Sequence, residues 1–135
     1  INIDNKDYKI TCVGMGNPHC VVFCDDIDRL DLNKIGPLFE HHEMFPERIN
    51  TEFVEILDKN NLKMRVWERG SGETLACGTG ACAVVVSSII NGFCDKNKDI
   101  KIQACGGVLS VRWQEDNNVY LTGEAVEVFT GEVKM

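Results

Sequence analysis

The sequence has 135 residues, 44% hydrophobic and 26% charged, with a net charge of −7 at pH 7. These values predict one globular domain over residues 1–135, and they exclude an intrinsically disordered chain. The acidic balance and the scattered basic residues argue against nucleic-acid binding. Without a membrane-length apolar run or a signal peptide, we expect a cytoplasmic protein that does not bind membranes.

Short segments of alternating hydrophobicity predict a sheet. The predicted strands are Tyr8–Val13, Cys20–Cys24, Phe53–Leu57, Leu62–Glu68, Ile100–Ala104, Val108–Trp113, Val119–Thr122 and Val126–Phe129. Turn-forming residues at Asp58–Asn61 and Gln114–Asn118 predict hairpins between neighbouring strands. The spacing is typical of a mostly antiparallel sheet or an open barrel.

A first helix is predicted over Asp31–Glu43, with apolar residues at helical spacing and Asp31 as its N-cap. Because Gly36-Pro37 lies in the middle of this segment, we expect the regular helix to begin only near Pro37. The amphipathic pattern predicts a surface helix that packs on the sheet. His41 and His42 lie on it and are interpreted as structural.

A second helix is predicted over Thr79–Asn91, which has small residues first, then a Val triplet, and ends at Asn-Gly. It has no polar face wide enough for solvent, so we expect it to be buried on nearly all sides. The predicted fold class is therefore α+β, with a curved sheet wrapped around a central buried helix.

Cys77 precedes the first turn of this buried helix and is followed by Gly78-Thr79-Gly80. Free backbone N–H groups and the helix dipole make a thiolate more available at such a position. The bare glycine backbone also lets a carboxylate or phosphate approach. The local sequence fits a reactive thiol beside an anion pocket as well as it fits a tight turn with a packed cysteine.

Three other segments carry polar groups that could form a site. Glu68-Arg69 ends a strand and offers both signs of charge, which suits the zwitterionic end of an amino acid; the alternative is an exposed charged pair. His19, after Asn17-Pro18, could orient or ionise a thiol, or it could be a satisfied strand histidine. Asn50 could be a site residue or a loop residue.

The seven cysteines form no C-x-x-C pair, and the three histidines form no spaced ligand pair, so we expect no metal site. The chain lacks the features of a small secreted disulfide scaffold, and reduced thiols are expected. Most of these cysteines are interpreted as small core residues, with Cys20 and Cys24 on one strand face.

Four motifs follow one another along the chain: Gly16–His19, Phe45–Asn50, Glu68–Gly70 and Ala76–Cys82. In order and spacing they resemble the C-terminal half of the diaminopimelate epimerase family, from near Ile10 to the end. The resemblance implies a cofactor-independent isomerase, without pyridoxal phosphate, that interconverts LL- and meso-diaminopimelate in lysine and peptidoglycan-precursor biosynthesis. In this family two cysteines flank the α-carbon, one removing the α-proton and the other returning a proton on the opposite face.

The resemblance also assigns roles to matching residues. Cys77 is similar to the second acid/base cysteine, and His19 and Glu68 are placed to tune the ionisation of the thiols. Backbone N–H groups of Gly78 and Thr79 would bind the reacting carboxylate. The remaining implied substrate contacts come from Asn17, Asn50, Glu68 and Arg69.

Only one Cys-Gly-x-Gly loop occurs in the sequence, whereas the family enzyme has two similar lobes that contribute one cysteine each. We therefore expect that the N-terminal lobe is missing from these 135 residues and that the isolated chain cannot epimerise. A lobe without its partner could also form a homodimer through the surface that faces the cleft.

Two other functions remain open from the residues alone. One is a cysteine hydrolase with Cys77 as nucleophile, His19 as base and Asn50 as the orienting residue. The other is an amino-acid- or anion-binding module that uses the Gly78–Gly80 turn, with the thiol incidental.

Overall fold

The computed structural model describes residues 1–134, and this part of the chain forms ten strands and two α-helices. A short 3-10 turn at Ile27–Arg29 precedes the first helix. The strands are β1 (Asn2–Ile3), β2 (Lys6–Asp7), β3 (Thr11–Gly14), β4 (Pro18–Phe23), β5 (Asn50–Asp58), β6 (Asn61–Glu68), β7 (Gly72–Thr74), β8 (Ile100–Ala104), β9 (Gly107–Trp113) and β10 (Val119–Thr122); the helices are α1 (Leu32–Glu40) and α2 (Gly78–Ile90).

Strands β3 to β10 form one curled sheet in the order β10-β9-β8-β6-β5-β4-β3, with β7 paired to β6. The pairs β4–β5 and β6–β8 are parallel, and the other pairs in this sheet are antiparallel. Strands β1 and β2 form a separate hairpin. The mostly antiparallel, half-barrel architecture confirms the predicted fold class.

Helix α2 lies inside the curl of the sheet and contacts β3, β4, β5, β9 and β10. Its small and β-branched residues, including Ala81 and Val84, are fully buried against Val54 and Met64 of the sheet. Removal of this apolar surface from water, at about 25 cal/mol per Å², is what fixes the helix in place. The predicted buried helix is confirmed, with its start at Gly78 and its end at Ile90.

Helix α1 covers the opposite face of the sheet. Phe39 packs edge-on against Tyr8 and Phe53, with ring centroids 5.2 and 5.3 Å apart. Gly36 lies directly on the indole of Trp67, where a Cβ would be 2.3 Å from the nearest ring carbon. The two helices therefore bury the two faces of the sheet in separate apolar clusters, and the prediction of a surface helix packed on the sheet is confirmed.

The boundaries of α1 differ from the prediction. The helix begins at Leu32, not near Pro37, because Asp31 caps it by accepting the Lys34 N–H at 3.3 Å and so fixes the first turn upstream of the proline. It ends at Glu40, not at Glu43. His41 is consequently the C-cap, and His42 lies beyond the helix.

Two strand predictions also need correction. The strand predicted over Tyr8–Val13 begins at Thr11, because Tyr8 exchanges backbone hydrogen bonds with Ile1 instead of pairing with β4. The segment Val126–Phe129 forms no strand within residues 1–134; Val126 is 78% and Phe129 is 84% exposed. Its alternation is that of a strand, but no neighbouring strand in the described chain supplies a hydrogen-bonding edge.

Cysteine burial follows the prediction only in part. Cys20 is fully buried and Cys24 packs beside it, as expected for one strand face. Cys12 and Cys105 are exposed and so are not core residues. Over residues 1–134, no helix is long and apolar enough to cross a lipid bilayer.

Candidate active site

Cys77 is the N-cap of the buried helix α2. Its Sγ atom accepts the backbone N–H of Gly80 at 3.3 Å and lies 3.5 Å from Thr79 Oγ1. The side chain is 9% exposed, so the thiol sits at the surface of the core, on the positive end of the helix dipole. The N–H groups of Gly78 and Thr79 have no acceptor among residues 1–134 and are free for an anionic group.

The turn between β3 and β4 places Asn17 over this helix start. Asn17 Nδ2 donates to Thr79 Oγ1 at 3.2 Å, although 62 residues separate them in the chain. The Oδ1 atom of the same amide lies 3.0 Å from Nε2 of His19. Asn17 therefore links His19 of β4, through Thr79, to the segment 77–80, which we call the cysteine loop.

A buried carboxyl group that the sequence analysis did not select, Glu52 on β5, lies behind His19. Its Oε1 is 2.6 Å from His19 Nδ1, and both side chains are 0% exposed. Burial raises the pKa of Glu52, while the hydrogen bond and charge of His19 oppose that rise. Gly80 makes this approach possible, because a Cβ there would lie 2.6 Å from Glu52 Oε1.

The Asn50 side chain forms a bridge between two strands. Its Nδ2 donates to the Pro18 carbonyl at 3.1 Å, and its Oδ1 accepts the Arg69 backbone N–H at 2.9 Å. Asn50 is also the register partner of His19 in the parallel pair β4–β5. The exposed Arg69 guanidinium donates to the Glu47 carbonyl at 3.1 Å.

Glu68, at the end of β6, is half-buried and accepts the Thr74 hydroxyl at 2.5 Å. Thr74 ends β7, which leads towards the cysteine loop. In the described residues Glu68 makes no hydrogen bond to Cys77. Its negative charge adds to the rise in the pKa of Glu52, so Glu68 borders the same buried region.

The predicted site residues thus form one connected region. Asn17, His19, Cys77 and Thr79 are joined by direct hydrogen bonds, Gly78 lies between the last two, and Asn50 joins Arg69 to the start of β4. Glu68 is linked to Thr74 and lies at the edge of the region.

The hydrogen bonds do not match those of a cysteine hydrolase. His19 uses one ring nitrogen for Glu52 and the other for Asn17, and neither bonds to Cys77 Sγ in residues 1–134. Asn50 bonds to backbone groups and does not orient the imidazole. The Cys–His–Asn arrangement that this alternative requires is therefore not formed.

A second buried carboxyl group, Glu40 at the end of α1, was also not selected from the sequence. Its oxygens accept Trp67 Nε1–H at 2.7 Å, the Gly70 backbone N–H at 2.9 Å and Arg48 Nη1 at 3.4 Å. Burial alone would raise the pKa of Glu40, but the hydrogen bonds from Trp67 and Gly70, together with the charges of His41 and Arg48, outweigh it and the pKa is lowered. Glu40 thereby holds the turn that follows Arg69.

The signal for Glu52 is its strand register. Glu52 and Val54 lie two residues apart, so they share the inner face of β5, and a charged residue at such a position needs a buried partner. The predicted strand began at Phe53, which left Glu52 outside it. The signal for Glu40 is weaker, because acidic residues are common at the edge of an amphipathic helix.

Sequence comparisons relate the chain to one family. Residues 11–128 match the model of the family described as Diaminopimelate epimerase. The chain is 57% identical to the diaminopimelate epimerase of Acetivibrio thermocellus, over all of the chain and 48% of that protein. It is 54% identical to that of Methanococcus maripaludis, over 97% of the chain and 48% of that protein. The chain spans about half the length of the curated relatives it matches.

Solved structures show the same fold at low sequence identity. A phenazine biosynthesis protein of the PhzF family from Bacillus anthracis aligns over 84% of the chain and 38% of its own length, with a TM-score of 0.57 and 20% identity. The corresponding Enterococcus faecalis protein aligns over 80% of the chain and 40% of its own length, with a TM-score of 0.56 and 16% identity. At this identity the likeness concerns the fold alone.

Proposed function

The chain belongs to the diaminopimelate epimerase family, and we propose that it supplies the Cys77 half of a two-cysteine active site that epimerises diaminopimelate. The observation that carries this proposal is the thiol at the start of α2, held by the Gly80 N–H beside two free N–H groups. An α-carbon acid needs a base close to the carbon and stabilisation of charge on the neighbouring carboxylate. The cysteine loop supplies the base as the Cys77 thiol and the charge stabilisation as the N–H groups of Gly78 and Thr79.

In the proposed step, the Cys77 thiolate takes the α-proton and becomes a thiol. The C–H electron pair moves into the carboxylate, which gains negative charge as an enediolate. Gly78 and Thr79 N–H groups donate to that carboxylate, and the α2 dipole favours the added charge. A second thiol on the opposite face then returns a proton to the carbon and becomes a thiolate, which inverts the configuration.

The polar groups around the loop would recognise the rest of the substrate. Diaminopimelate has two zwitterionic ends, so a site needs both donors and acceptors for each end. Arg69 presents an exposed guanidinium that fits a carboxylate, and Glu68 offers a carboxylate for an ammonium group. Asn17 and Asn50 form hydrogen bonds to Thr79 and to the Arg69 backbone. The donor hydrogens and acceptor lone pairs of their amides that these bonds leave free would bind the substrate.

The second cysteine would come from a partner lobe of similar fold. Within residues 1–134 Cys77 lies on the sole Cys-Gly-x-Gly loop, and the other six thiols have no comparable helix start. We therefore propose that residues 1–135 act as one domain of the enzyme and that epimerisation needs a second lobe. Without it, one face of the α-carbon has no proton donor.

A chimera tests this proposal: the chain replaces the matching segment of the Acetivibrio thermocellus relative. Incorporation of deuterium at the α-carbon of diaminopimelate in heavy water, followed by mass spectrometry, reports the proton transfers. We expect exchange by the chimera, a loss of about 10²–10⁴-fold in Cys77→Ala, and no enzyme-like exchange by the isolated chain.

Cys12→Ala is the matched control, since Cys12 is exposed and makes no hydrogen bond to Cys77 or Thr79 in residues 1–134. Exchange that survives in Cys77→Ala, or enzyme-like exchange by the 135 residues alone, would contradict the proposal. Binding of diaminopimelate with no exchange in the wild-type chimera would favour the amino-acid-binding module, which the free N–H groups at the start of α2 also fit.

A further inference from the structure

Glu52 is a fully buried carboxyl group to which the proposed proton transfers assign no step. It lies on the inner face of β5 between His19 of β4 and the first turn of α2. Its Oε1 has one partner, His19 Nδ1, at 2.6 Å. Its Oε2 is buried and has no hydrogen-bond partner among residues 1–134. Buried polar atoms without partners are rare in proteins, so this arrangement requires a reason.

The hydrogen bonds of His19 determine where its protons lie. Asn17 Oδ1 is an acceptor only, with its own amide nitrogen turned towards Thr79, so His19 Nε2 must carry a proton and donate it. Nδ1 of His19 and Oε1 of Glu52 then share a single proton. The pair is neutral overall whether that proton resides on the imidazole or on the carboxyl group.

Gly80 places the carboxyl group against the cysteine loop. A Cβ at this position would lie 2.6 Å from Glu52 Oε1, 3.1 Å from Cys77 Cβ and 3.2 Å from Cys77 Sγ. The carboxyl group and the thiol therefore flank the same Cα atom. A side chain larger than hydrogen at residue 80 would separate them.

The other titratable groups around Glu52 are few. They are His19 and Cys20 on β4, Glu68 on β6 and Cys77 at the start of α2. Burial raises the pKa of Cys20, so this thiol stays protonated and neutral. His19 is thus the sole basic group beside Glu52 in the described chain.

We propose that Glu52 is a positioning residue of this site: its carboxyl group fixes the His19 imidazole with Nε2–H towards Asn17, and thereby holds Asn17 and Thr79 against the Cys77 thiol. The chain of contacts runs from Glu52 through His19, Asn17 and Thr79 to Cys77, each at hydrogen-bond distance. Its relevance to catalysis rests on the proposed function, whereas the proton arrangement at His19 does not.

Glu52 does not touch the substrate in this account. It sets the direction of the imidazole, much as a carboxylate behind a histidine fixes the ring tautomer in other enzymes. Because a small displacement of a positioned group lowers the rate more than the affinity, the loss of Glu52 should reduce kcat and leave KM nearly unchanged.

Nuclear magnetic resonance of the chain labelled with ¹⁵N-histidine tests the proton arrangement without any turnover. In the wild type we expect a proton on His19 Nε2 and a far-downfield, slowly exchanging proton shared between Nδ1 and Glu52. Glu52→Gln should remove the downfield proton and leave a neutral ring with its proton on Nε2, since a buried imidazolium beside a neutral amide would be uncompensated.

The matched control is Glu55→Gln, the same substitution three residues along β5, where Glu55 is only partly buried and accepts the Ile27 N–H at 3.4 Å. Its His19 signals should equal those of the wild type, and His41 and His42 are internal references. A His19 Nε2 that carries no proton in the wild type, or a downfield Nδ1 proton that remains in Glu52→Gln, would overturn the proposal. The wild-type spectrum decides the first point even if Glu52→Gln fails to fold.

The chimera tests the consequence for catalysis. Glu52→Ala leaves His19 Nδ1 without a partner and should lower kcat by about 10–100-fold with KM within about threefold. Glu52→Gln, whose amide still holds the ring with Nε2–H towards Asn17, and Glu55→Gln should both stay near the wild-type kcat. Equal kcat in Glu52→Ala and wild type would overturn the positioning role. If the wild-type chimera shows no exchange, the proposed function fails, and the histidine spectra still decide the proton arrangement.

Discussion

Two carboxyl groups that are buried within residues 1–134, Glu40 and Glu52, are held in opposite ways. Glu40 lies under the turn after β6 and accepts two short hydrogen bonds from Trp67 and Gly70 and a longer one from Arg48. Glu52 lies under the cysteine loop; its Oε1 has one partner, His19, and its Oε2 has no hydrogen-bond partner among residues 1–134. The pKa of Glu40 is lowered and that of Glu52 is raised.

The difference separates a structural carboxylate from one that can exchange a proton. The groups that donate hydrogen bonds to Glu40 are an indole, a backbone N–H and a guanidinium, which keep their protons, and His41 Nε2 lies 3.9 Å from Oε1, beyond hydrogen-bond distance; Glu40 is therefore held as an acceptor. Glu52 faces an imidazole, which can take or give the shared proton. The carboxyl group that faces an imidazole thus lies beside the Cys77 thiol, and the one that faces fixed donors lies beneath the turn after Arg69.

The largest expected change in the free energy of unfolding follows from removing the partner of Glu52. His19→Ala removes the single partner of a buried carboxyl group and should reduce the free energy of unfolding by about 3–5 kcal/mol. Urea denaturation of the chain measures this change. Adding Glu52→Gln to His19→Ala should recover part of the loss, because no charge then needs a partner. Equal stability of the single and double variants would show that the pair is not electrostatically coupled.

A smaller change in the free energy of unfolding is expected when Glu40 itself is replaced. In Glu40→Gln the new amide group directs a donor at Trp67 Nε1–H or at the Gly70 N–H, so we expect a loss of about 1–3 kcal/mol in the same denaturation experiment. Arg48→Ala is the matched comparison: Arg48 is exposed and 3.4 Å from the carboxylate, and its removal should cost at most about 1 kcal/mol. A larger loss in Arg48→Ala than in Glu40→Gln would reverse the assignment of the main donors.

The smallest expected effect is a difference in how the contributions of Glu40 and Glu52 to the free energy of unfolding depend on pH. The lowered pKa of Glu40 means that its contribution to stability is present above the ordinary glutamate pKa, about 4.3, and is lost as the pH falls through its folded-state pKa. The raised pKa of Glu52 gives the opposite sign: its contribution is full below about 4.3 and is lost as the pH rises through its folded-state pKa.

These pH dependences are visible as the difference in unfolding free energy between each Glu→Gln variant and the wild type, measured from about pH 3, roughly one unit below the ordinary glutamate pKa, to about pH 8, well above it. The destabilisation by Glu40→Gln should shrink as the pH falls, and that by Glu52→Gln should grow. Slopes of the same sign for both variants would contradict the contrast between the two carboxyl groups.

The sequence alone predicted the parts of the fold that have local causes. Small residues before a Val triplet, and an Asn-Gly end, predict the buried helix α2 from Thr79, with Cys77 just before its first turn; in the structure the helix begins at Gly78 and Cys77 is its N-cap. The residues that carry the site, from Asn17 to Thr79, were selected by their chemistry and by family resemblance. The structure brings them into one region.

The remaining features depend on contacts between distant parts of the chain. Val126–Phe129 alternates like a strand, but a strand also needs an edge to pair with, and periodicity does not supply one. The first turn of α1 is fixed by Asp31, which outweighs the proline signal. Glu52 became visible only when β5 was extended to Asn50 and its inner face met His19, 33 residues away in the chain.

Alkylation of the chimera followed by peptide mass spectrometry and the deuterium-exchange assay tests the central claim most directly. Iodoacetamide should modify the exposed Cys12 and Cys105 without loss of exchange, and exchange should be lost wherever Cys77 is modified. Among the cysteines of this chain, diaminopimelate should protect Cys77 and not Cys12 or Cys105. Full exchange activity in protein whose Cys77 is completely alkylated would contradict the account.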